Sequence, residues 1–284
     1  MIVMQVFCGL GNQMFQYACG RALALRTGRH LYLDLSNASV NNFRRYELDK
    51  MNINATPIHS LRELNEIKAR LGIQSIPVFK ERHYNFDPNV IDFCDNVFLS
   101  NGYWQSEKYF LDFASVIRKE LTPKLHNLSA DSFNIAQEMK NHTSIAIHVR
   151  RGDYLKSLLH GILPMDYYQQ AIRYFTIRFP SIRFYVFSDD VNWCNHDFIA
   201  LFPNTHVVKP ALEEGSWRDL WLMSQCQHNI IANSTYSWWG AWLNDNPQKI
   251  IIAPEPMFAG LQSPDLIPTL WIRIPVRFDL ERGQ

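Results

Sequence analysis

Short apolar runs alternate along this chain with segments in which apolar residues recur at helical spacing. In the first half, residues 2–8 and 31–35 predict strands, and the helix between them ends before Gly28, where a C-cap glycine belongs. Residues 37–54 are polar and residues 74–96 are interrupted by proline, so both predict irregular structure. Further elements of this half are predicted at residues 60–71 (helix), 97–100 (strand) and 106–120 (helix).

The second half alternates strands and helices more regularly. Strands are predicted at residues 145–149, 182–187, 205–208, 229–232 and, as the last strand, 249–253. Helices are predicted to open at Pro164, to cover residues 216–227 and to carry Trp238, Trp239 and Trp242. This repetition indicates a parallel sheet covered on both faces. The polar stretch 121–143 contains the boundary between an N-terminal domain, residues 1–130, and a C-terminal domain, residues 140–284.

Composition describes an ordinary globular protein, with 47% hydrophobic and 19% charged residues among 284. Lys and Arg number 28 against 27 Asp and Glu, so no bulk charge exists to attract nucleic acid. The five cysteines are scattered without paired spacing, which favours a reducing compartment and argues against a zinc site. No run approaches the roughly 18 apolar residues of a transmembrane segment. We therefore expect a cytoplasmic protein; peripheral association with the inner face of the membrane stays open.

The candidate chemistry begins where the strand 145–149 ends, at Arg150-Arg151-Gly152-Asp153. Ligands of open α/β sheets bind beyond the carboxyl ends of the strands, and the Arg side chain presents a charged fork that matches phosphate oxygens. Two plainer interpretations stand beside this one. The Arg and Asp side chains could simply pair with each other at a surface turn, and His148 could be a core imidazole that is hydrogen-bonded to backbone.

Two further polar loops, Ser188-Asp189-Asp190 and Asn233-Ser234-Thr235, follow neighbouring predicted strands. Parallel connectivity places them at the same sheet edge as Arg150. For a nucleotide-sugar ligand, Arg150 would neutralise the diphosphate, the Asn-Ser-Thr loop at a helix start would donate to it, and an Asp would accept from guanine. Either loop could instead be only a helix cap, and the Asp pair could hold a divalent metal. We favour one shared site.

The first domain offers weaker signals. The turn Gly9-Leu-Gly-Asn-Gln13 lacks the third glycine of the dinucleotide fingerprint and the Lys of a P-loop, and taken alone it predicts only packing. Tyr103 and Trp104 follow a predicted strand and could stack on a sugar ring. A core role is at least as common for such large aromatic residues.

Taken together, these motifs resemble the α-1,2-fucosyltransferases of glycosyltransferase family 11. The resemblance runs from residue 9 to about 242 through Gly9-Leu-Gly-Asn-Gln-Met-Phe-Gln-Tyr-Ala18, Gly102-Tyr-Trp-Gln105, His148-Val-Arg-Arg-Gly-Asp-Tyr154, Phe187-Ser-Asp-Asp190 and Asn233-Ser-Thr-Tyr-Ser-Trp-Trp-Gly-Ala-Trp242. It implies an α/β, GT-B-like fold of two Rossmann-like domains whose parallel sheets face a central cleft. The C-terminal domain would bind the donor and the N-terminal domain the acceptor.

The resemblance also implies a reaction and a set of residue roles. L-Fucose would pass from GDP-β-L-fucose to the 2-hydroxyl of a β-galactoside-terminated glycan, with inversion and without a metal or other cofactor. Arg150 would hold the β-phosphate, and Asn12 would face the transferring centre. Donor-binding residues would be Gly11, His148, Ser188, Asp189, Asp190, Asn233, Ser234 and Thr235, and acceptor-binding residues would be Trp104, Arg44 and Arg45.

The base that deprotonates the acceptor stays open. Asp153 is the nearest carboxylate to Arg150 in sequence, but it could instead be that residue's structural partner; Asp34 is another candidate at a strand end. Two other functions also stay open. One is a non-catalytic protein that binds a nucleotide sugar or a glycan, and the other is a metal-dependent transferase that uses Asp189 and Asp190.

Overall fold

Parallel sheets flanked by helices form the framework of both halves of the chain. A computed structural model describes residues 1–36, 45–210 and 214–278. The chain divides into two compact units. The first comprises Met1–Lys124 with Pro264–Leu266, and the second comprises Leu125–Ser263 and the chain from Ile267 onward.

Within its described residues, the first unit contains a five-stranded parallel sheet in the order β3-β2-β1-β5-β4. Its strands are β1 Ile2–Gln5, β2 Leu31–Asp34, β3 Thr56–Ile58, β4 Val78–Lys80 and β5 Val97–Ser100. Its helices are α1 Leu10–Thr27, α2 Leu61–Arg70 and α3 Ala114–Glu120. Strand β1 is central and almost wholly buried, as its continuous apolar sequence predicts for a strand covered on both faces.

Several boundaries of the first unit differ from the sequence prediction. Helix α1 begins at Leu10, so the Gly-rich segment forms its first turn instead of a separate loop. Gly28 ends α1 in the left-handed conformation, with φ of 65°, as predicted. The helix predicted over residues 106–120 is divided, because two 3₁₀ turns, Glu107–Tyr109 and Leu111–Phe113, precede α3. The short strands β3 and β4 were not predicted.

The described part of the second unit contains a six-stranded parallel sheet in the order β11-β10-β9-β6-β7-β8. Its strands are β6 Ser144–Val149, β7 Arg183–Ser188, β8 Thr205–Val207, β9 His228–Ile230, β10 Ile251–Glu255 and β11 Ile272–Pro275. Its α-helices are α4 Ala130–Lys140, α5 Met165–Arg178, α6 Val191–Trp193, α7 Ile199–Leu201, α8 Ser216–Gln225 and α9 Thr235–Leu243. A 3₁₀ helix covers Gly152–Lys156, and a π-helical turn, Cys194–Phe198, joins α6 to α7.

Strand β6 is the strand around which the second unit is arranged. All six of its residues are buried, and it pairs with β7 on one side and β9 on the other. Because the three strands are parallel, the loops that follow them lie side by side at the carboxyl edge of the sheet. The predicted last strand, β10, is followed by another, β11, which pairs with it at the edge.

Two chain-wide features complete the fold. All five cysteines are free thiols. Across the residues that the structure describes, no helix combines the length and the apolar character needed to cross a membrane.

Candidate functional site

Arg150 lies directly after β6, and two carboxylates hold its guanidinium. Its Nη2 donates to Asp153, and its Nη1 lies 3.0 Å from a carboxylate oxygen of Asp189. The guanidinium also lies over the Tyr154 ring, with Cζ 5.0 Å from the ring centre. The Arg150 side chain is 16% exposed. The plain pairing of Arg150 with Asp153 is therefore present, and the second carboxylate, Asp189, was not predicted as its partner.

Arg151 is held by a separate set of contacts. Its Cζ lies 3.8 Å from the centre of the Trp193 ring, and its Nε donates to Asp190 at 3.2 Å. Asp190 also accepts the backbone N–H of Trp193 and so caps the helical segment that begins at Val191. Ser188 accepts the backbone N–H of Asp190 at 3.0 Å. Asp190 thus caps this helical segment, as one interpretation predicted, and it also pairs with Arg151.

Asp189 orders the loop that follows β6. Its carboxylate accepts the backbone N–H of Arg151 at 2.9 Å, in addition to its pair with Arg150. Gly152 lies so close that a Cβ there would fall 2.3 Å from a carboxylate oxygen of Asp189. Guanine binding by Asp189 or Asp190 stays a prediction, because the contacts observed for both carboxylates are within the loops.

Among the described residues, Asp189 and Asp190 have no third side chain beside them that would complete a metal site. Within residues 1–36, 45–210 and 214–278, no group of three or more His, Cys, Asp or Glu side chains is arranged to hold a metal ion. The cations that Asp189 and Asp190 contact are Arg150 and Arg151 of the chain itself.

The loop between β9 and α9 is tied to the Arg150 loop through Tyr154. Ser234 accepts the backbone N–H of Tyr236 and caps α9, and its side chain is also hydrogen-bonded to the Tyr154 hydroxyl. Burial raises the pKa of Tyr154 to about 12, so the phenol stays protonated. Thr235 is the first residue of α9 and is partly exposed. Tyr154 therefore links the start of α9 to Arg150, whose guanidinium lies over the Tyr154 ring.

The side chain of Asn233 is turned toward the loop at residues 160–161. It is fully buried, and Nδ2 donates to the carbonyls of His160 and Gly161 at 2.9 and 3.1 Å. Its Oδ1 is also buried and has no hydrogen-bond partner among the described residues. The side-chain amide of Asn233 therefore holds the loop at residues 160–161, and donor binding by Asn233 stays a prediction.

His148 lies inside β6 and is 3% exposed. Burial, reinforced by the cation of Arg150, lowers its pKa to about 3, so the imidazole is neutral. Its ring lies 5.5 Å from the ring of Tyr236, and its Nδ1 has no hydrogen-bond partner in the described part of the chain. The core interpretation fits this burial, although Nδ1 does not make the backbone hydrogen bond that we expected. The predicted contact between the His148 imidazole and a nucleoside does not fit a side chain that is 3% exposed.

In the first unit, the Gly-rich segment is held at the carboxyl edge of its sheet. Gly11 is buried in the first turn of α1, and the Asn12 Oδ1 accepts the Gln105 Nε2 at 2.8 Å. The Gln13 side chain donates to the carbonyls of Cys8 and Arg45 at 2.8 and 2.9 Å. Asn12 and Gln105 therefore join the turns that follow the neighbouring strands β1 and β5.

The three predicted acceptor residues have different outcomes. Arg45 is exposed, and Arg44 lies outside the described residues. Trp104 is fully buried and packs against the rings of Phe79 and Tyr109. A fully buried ring cannot stack on a sugar, so the prediction for Trp104 is wrong and its core alternative is right.

Sequence reasoning missed several residues of these loops. Tyr154 supports Arg150 and reaches Ser234, and its place directly after the Arg-Arg-Gly-Asp run was the available signal. Trp193 stacks under Arg151, and nothing in the local sequence indicates this. In the first unit, the Glu81 carboxylate accepts the backbone N–H groups of residues 103 and 104 from across the sheet edge.

Comparison with known proteins places this geometry in context. The sequence profile described as "Glycosyl transferase family 11" matches residues 1–260. An α-1,2-colitosyltransferase of Escherichia coli is 35% identical over 297 residues, which cover 96% of this chain and 98% of that protein. A galactoside α-(1,2)-fucosyltransferase 1 of Saimiri boliviensis boliviensis is 26% identical over 245 residues, which cover 82% of this chain and 62% of that protein.

A solved structure shares the fold. The crystal structure of the α-1,6-fucosyltransferase NodZ soaked with GDP-fucose superimposes with a TM-score of 0.53 at 15% sequence identity. The match covers 88% of this chain and 94% of that chain. The predicted GT-B-like α/β fold with parallel sheets is thereby confirmed.

Proposed function

This chain belongs to glycosyltransferase family 11, and on that premise we propose that it is an inverting fucosyltransferase. L-Fucose would be transferred from GDP-β-L-fucose to the 2-hydroxyl of a terminal β-galactoside, giving an α-1,2-fucosylated glycan. The observation that carries this proposal is the position of Arg150, fixed beyond strand β6 and connected through Tyr154 to Ser234, the cap of α9.

The charge that develops during transfer matches this position. As the bond from fucose C1 to the phosphate oxygen breaks, the leaving GDP gains negative charge. A permanently charged guanidinium and the outward N–H groups of a helix start stabilise that charge more in the transition state than in the ground state. Loss of one such group typically costs about 10²–10³ in turnover.

We also propose that no metal ion takes part. The diphosphate would find its positive charge in Arg150, and the contacts of Asp189 and Asp190 with the two arginines leave these carboxylates arranged as loop supports. Transfer that proceeds unchanged in EDTA would support this part of the proposal, and transfer restored only by added divalent cations would overturn it.

The residue that accepts the proton of the acceptor hydroxyl would be a carboxylate. Asp153 is more than half exposed beside Arg150, whereas Asp34 is buried and accepts the backbone N–H of Ser36 at 3.0 Å. Exposure favours Asp153 of the two. Its ion pair with Arg150 fits the competing structural role, and the GDP affinity and kcat of Asp153→Asn separate the two roles.

The direct test is to incubate the protein with GDP-fucose and lactose in the presence of EDTA. We expect 2′-fucosyllactose and GDP. Arg150→Lys should abolish transfer without unfolding the protein, because a point charge cannot reproduce the two-pronged contact. The matched control is Arg178→Lys, since Arg178 is exposed on α5 and also lies over a tyrosine ring. Calorimetric GDP binding without transfer to any galactoside would favour the non-catalytic alternative.

A second candidate donor follows from the comparisons, because a colitosyltransferase is 35% identical over nearly the whole chain. Colitose is L-fucose without its 3-hydroxyl. A site built to hydrogen-bond that hydroxyl typically rejects the deoxy sugar by about 10⁴–10⁵ in kcat/KM. The ratio of kcat/KM for GDP-fucose and GDP-colitose, measured with one acceptor, therefore identifies the donor.

A further inference from the structure

Backbone strain in the described residues is concentrated at one edge of the first unit. Across residues 1–36, 45–210 and 214–278, the residues other than glycine with positive φ are Cys8 at 65°, Asn101 at 50° and Trp104 at 56°. All three lie in the turns that follow β1 and β5, two neighbouring parallel strands. Such conformations each cost about 1–3 kcal/mol and typically persist where they position groups for a ligand.

The strained turn after β5 sends consecutive aromatic side chains in opposite directions. Trp104 turns into the core, where its ring packs against Gly102; a Cβ at residue 102 would fall 2.5 Å from that ring. Tyr103 is left partly exposed. The Glu81 carboxylate fixes both residues, since it accepts the N–H of Tyr103 at 2.8 Å and that of Trp104 at 2.9 Å.

Tyr103 forms an aromatic surface with side chains from two other turns of the same edge. Its ring stacks on Tyr84, with centres 6.0 Å apart and planes 24° apart, and contacts Phe7 at 5.3 Å. Tyr84 follows β4 and is 37% exposed, and Phe7 follows β1 and is partly exposed. We call Phe7, Tyr84 and Tyr103 the aromatic platform. It lies at the carboxyl edge of the sheet, where ligands of parallel α/β folds bind.

Polar groups border the platform. The Tyr103 hydroxyl lies 4.0 Å from the Cys8 Sγ, and the Asn12–Gln105 amide pair joins the same two turns. Aromatic faces are electron-rich and suit the C–H face of a pyranose, whereas phenol and amide groups can donate to and accept from its hydroxyls. A flat, partly apolar ligand with a hydroxylated rim is the chemical class that this combination fits.

We propose that the aromatic platform binds the galactose ring of the acceptor and that, of the two aromatic residues after β5, Tyr103 and not the buried Trp104 stacks on the sugar. This inference rests on the proposed function for the identity of the sugar. Its geometry rests only on residues of the first unit.

The test compares Tyr84→Leu, Tyr103→Leu and the double variant with the wild type. Tyr84 is the more exposed ring, so its variant keeps the test valid if Tyr103→Leu does not fold. We expect the KM for lactose to rise about tenfold in each single variant, equivalent to about 1.4 kcal/mol. The calorimetric Kd for GDP and the kcat at saturating lactose should stay within about twofold of wild type, as expected for uniform loss of acceptor binding.

The matched control is Phe133→Leu, which removes an aromatic ring of similar exposure, 41%, from α4 of the second unit. A lactose KM that changes less than twofold in both Tyr variants would overturn the proposal that the aromatic platform binds galactose. Saturation-transfer NMR with lactose alone separates this failure from that of the proposed function. If the wild type binds lactose but transfers no sugar, and Tyr84→Leu and Tyr103→Leu lose lactose binding, the result would support the platform proposal and refute the fucosyltransferase proposal.

Discussion

Asp153 competes with the donor for Arg150, and its replacement by Asn should therefore strengthen GDP binding. Arg150 and Arg151 are balanced by Asp153, Asp189 and Asp190, so two positive charges face three negative ones. A diphosphate that approaches Arg150 meets this excess and must take the position of the Asp153 carboxylate. Asp153 is the carboxylate to be displaced, since its side chain is 58% exposed against 25% for Asp189.

The size of the effect follows from that exposure. Two unit charges about 4 Å apart interact by about 1 kcal/mol in water, and a half-exposed carboxylate is close to that limit. Asp153→Asn should accordingly lower the Kd for GDP about fivefold in low salt, since about 1.4 kcal/mol is a factor of ten. At about 1 M salt, where the screening length is about 3 Å, the gain should largely disappear.

Calorimetry with GDP and steady-state transfer kinetics measure the two quantities that matter. Asp166→Asn is the matched control, because Asp166 is an exposed carboxylate in the first turn of α5 and its loss changes net charge equally. An unchanged or weaker GDP affinity in Asp153→Asn would refute the competition. A kcat that falls by about 10²–10⁴ would identify Asp153 as the general base instead.

Three further predictions test the supports of the two sites. Gly152→Ala, whose Cβ would fall 2.3 Å from an oxygen of Asp189, should displace that carboxylate and lower kcat/KM about tenfold or more, with the thermal midpoint little changed; full activity would make the position of Asp189 irrelevant. The pKa of His148 is about 3 in the folded protein and 6.5 for a free imidazole. Between these pH values the unfolded chain binds one proton more than the folded chain, so the free energy of unfolding falls as the pH is lowered. In urea titrations the wild type should lose about 1.4 kcal/mol more than His148→Gln for each pH unit below about 6, and parallel profiles would contradict this. Gly102→Ala should cost about 1–3 kcal/mol of unfolding free energy, because its Cβ would meet the buried Trp104 ring at 2.5 Å; a loss below about 0.5 kcal/mol would show that the ring can move.

The larger elements of the fold could be predicted because their continuous or periodic apolar residues indicate which positions are buried. Strand β6 is apolar, short and buried at every residue, and its neighbours in the sheet are similar. The missed strands β3, β4 and β11 are edge strands of three or four residues, and β3 and β11 each contain a proline. Such segments carry too little periodicity to distinguish a strand from a loop.

The meeting of the three loops in the second unit was also predictable, since parallel connectivity brings the ends of β6, β7 and β9 to one edge. Which atoms pair there was not. The contacts of Asp189 with Arg150 and of Tyr154 with Ser234 depend on side-chain directions that packing decides. For the same reason the sequence did not reveal that the Asn233 side chain donates to the carbonyls of residues 160 and 161.

The two units differ in how their candidate sites are held, and this difference explains why one site was easier to predict. The second unit fixes Arg150 by charge, and charged residues clustered after a strand are visible in a sequence. The first unit holds Tyr103 through Glu81, in a turn where Asn101 and Trp104 have positive φ, and a positive φ at a residue such as Trp104 leaves no mark in the sequence. Trp104 has a φ of 56° and a buried ring, whereas the ring of its neighbour Tyr103 is partly exposed. A candidate ligand site at such turns can therefore be identified only from the φ angles and side-chain burial in the structure.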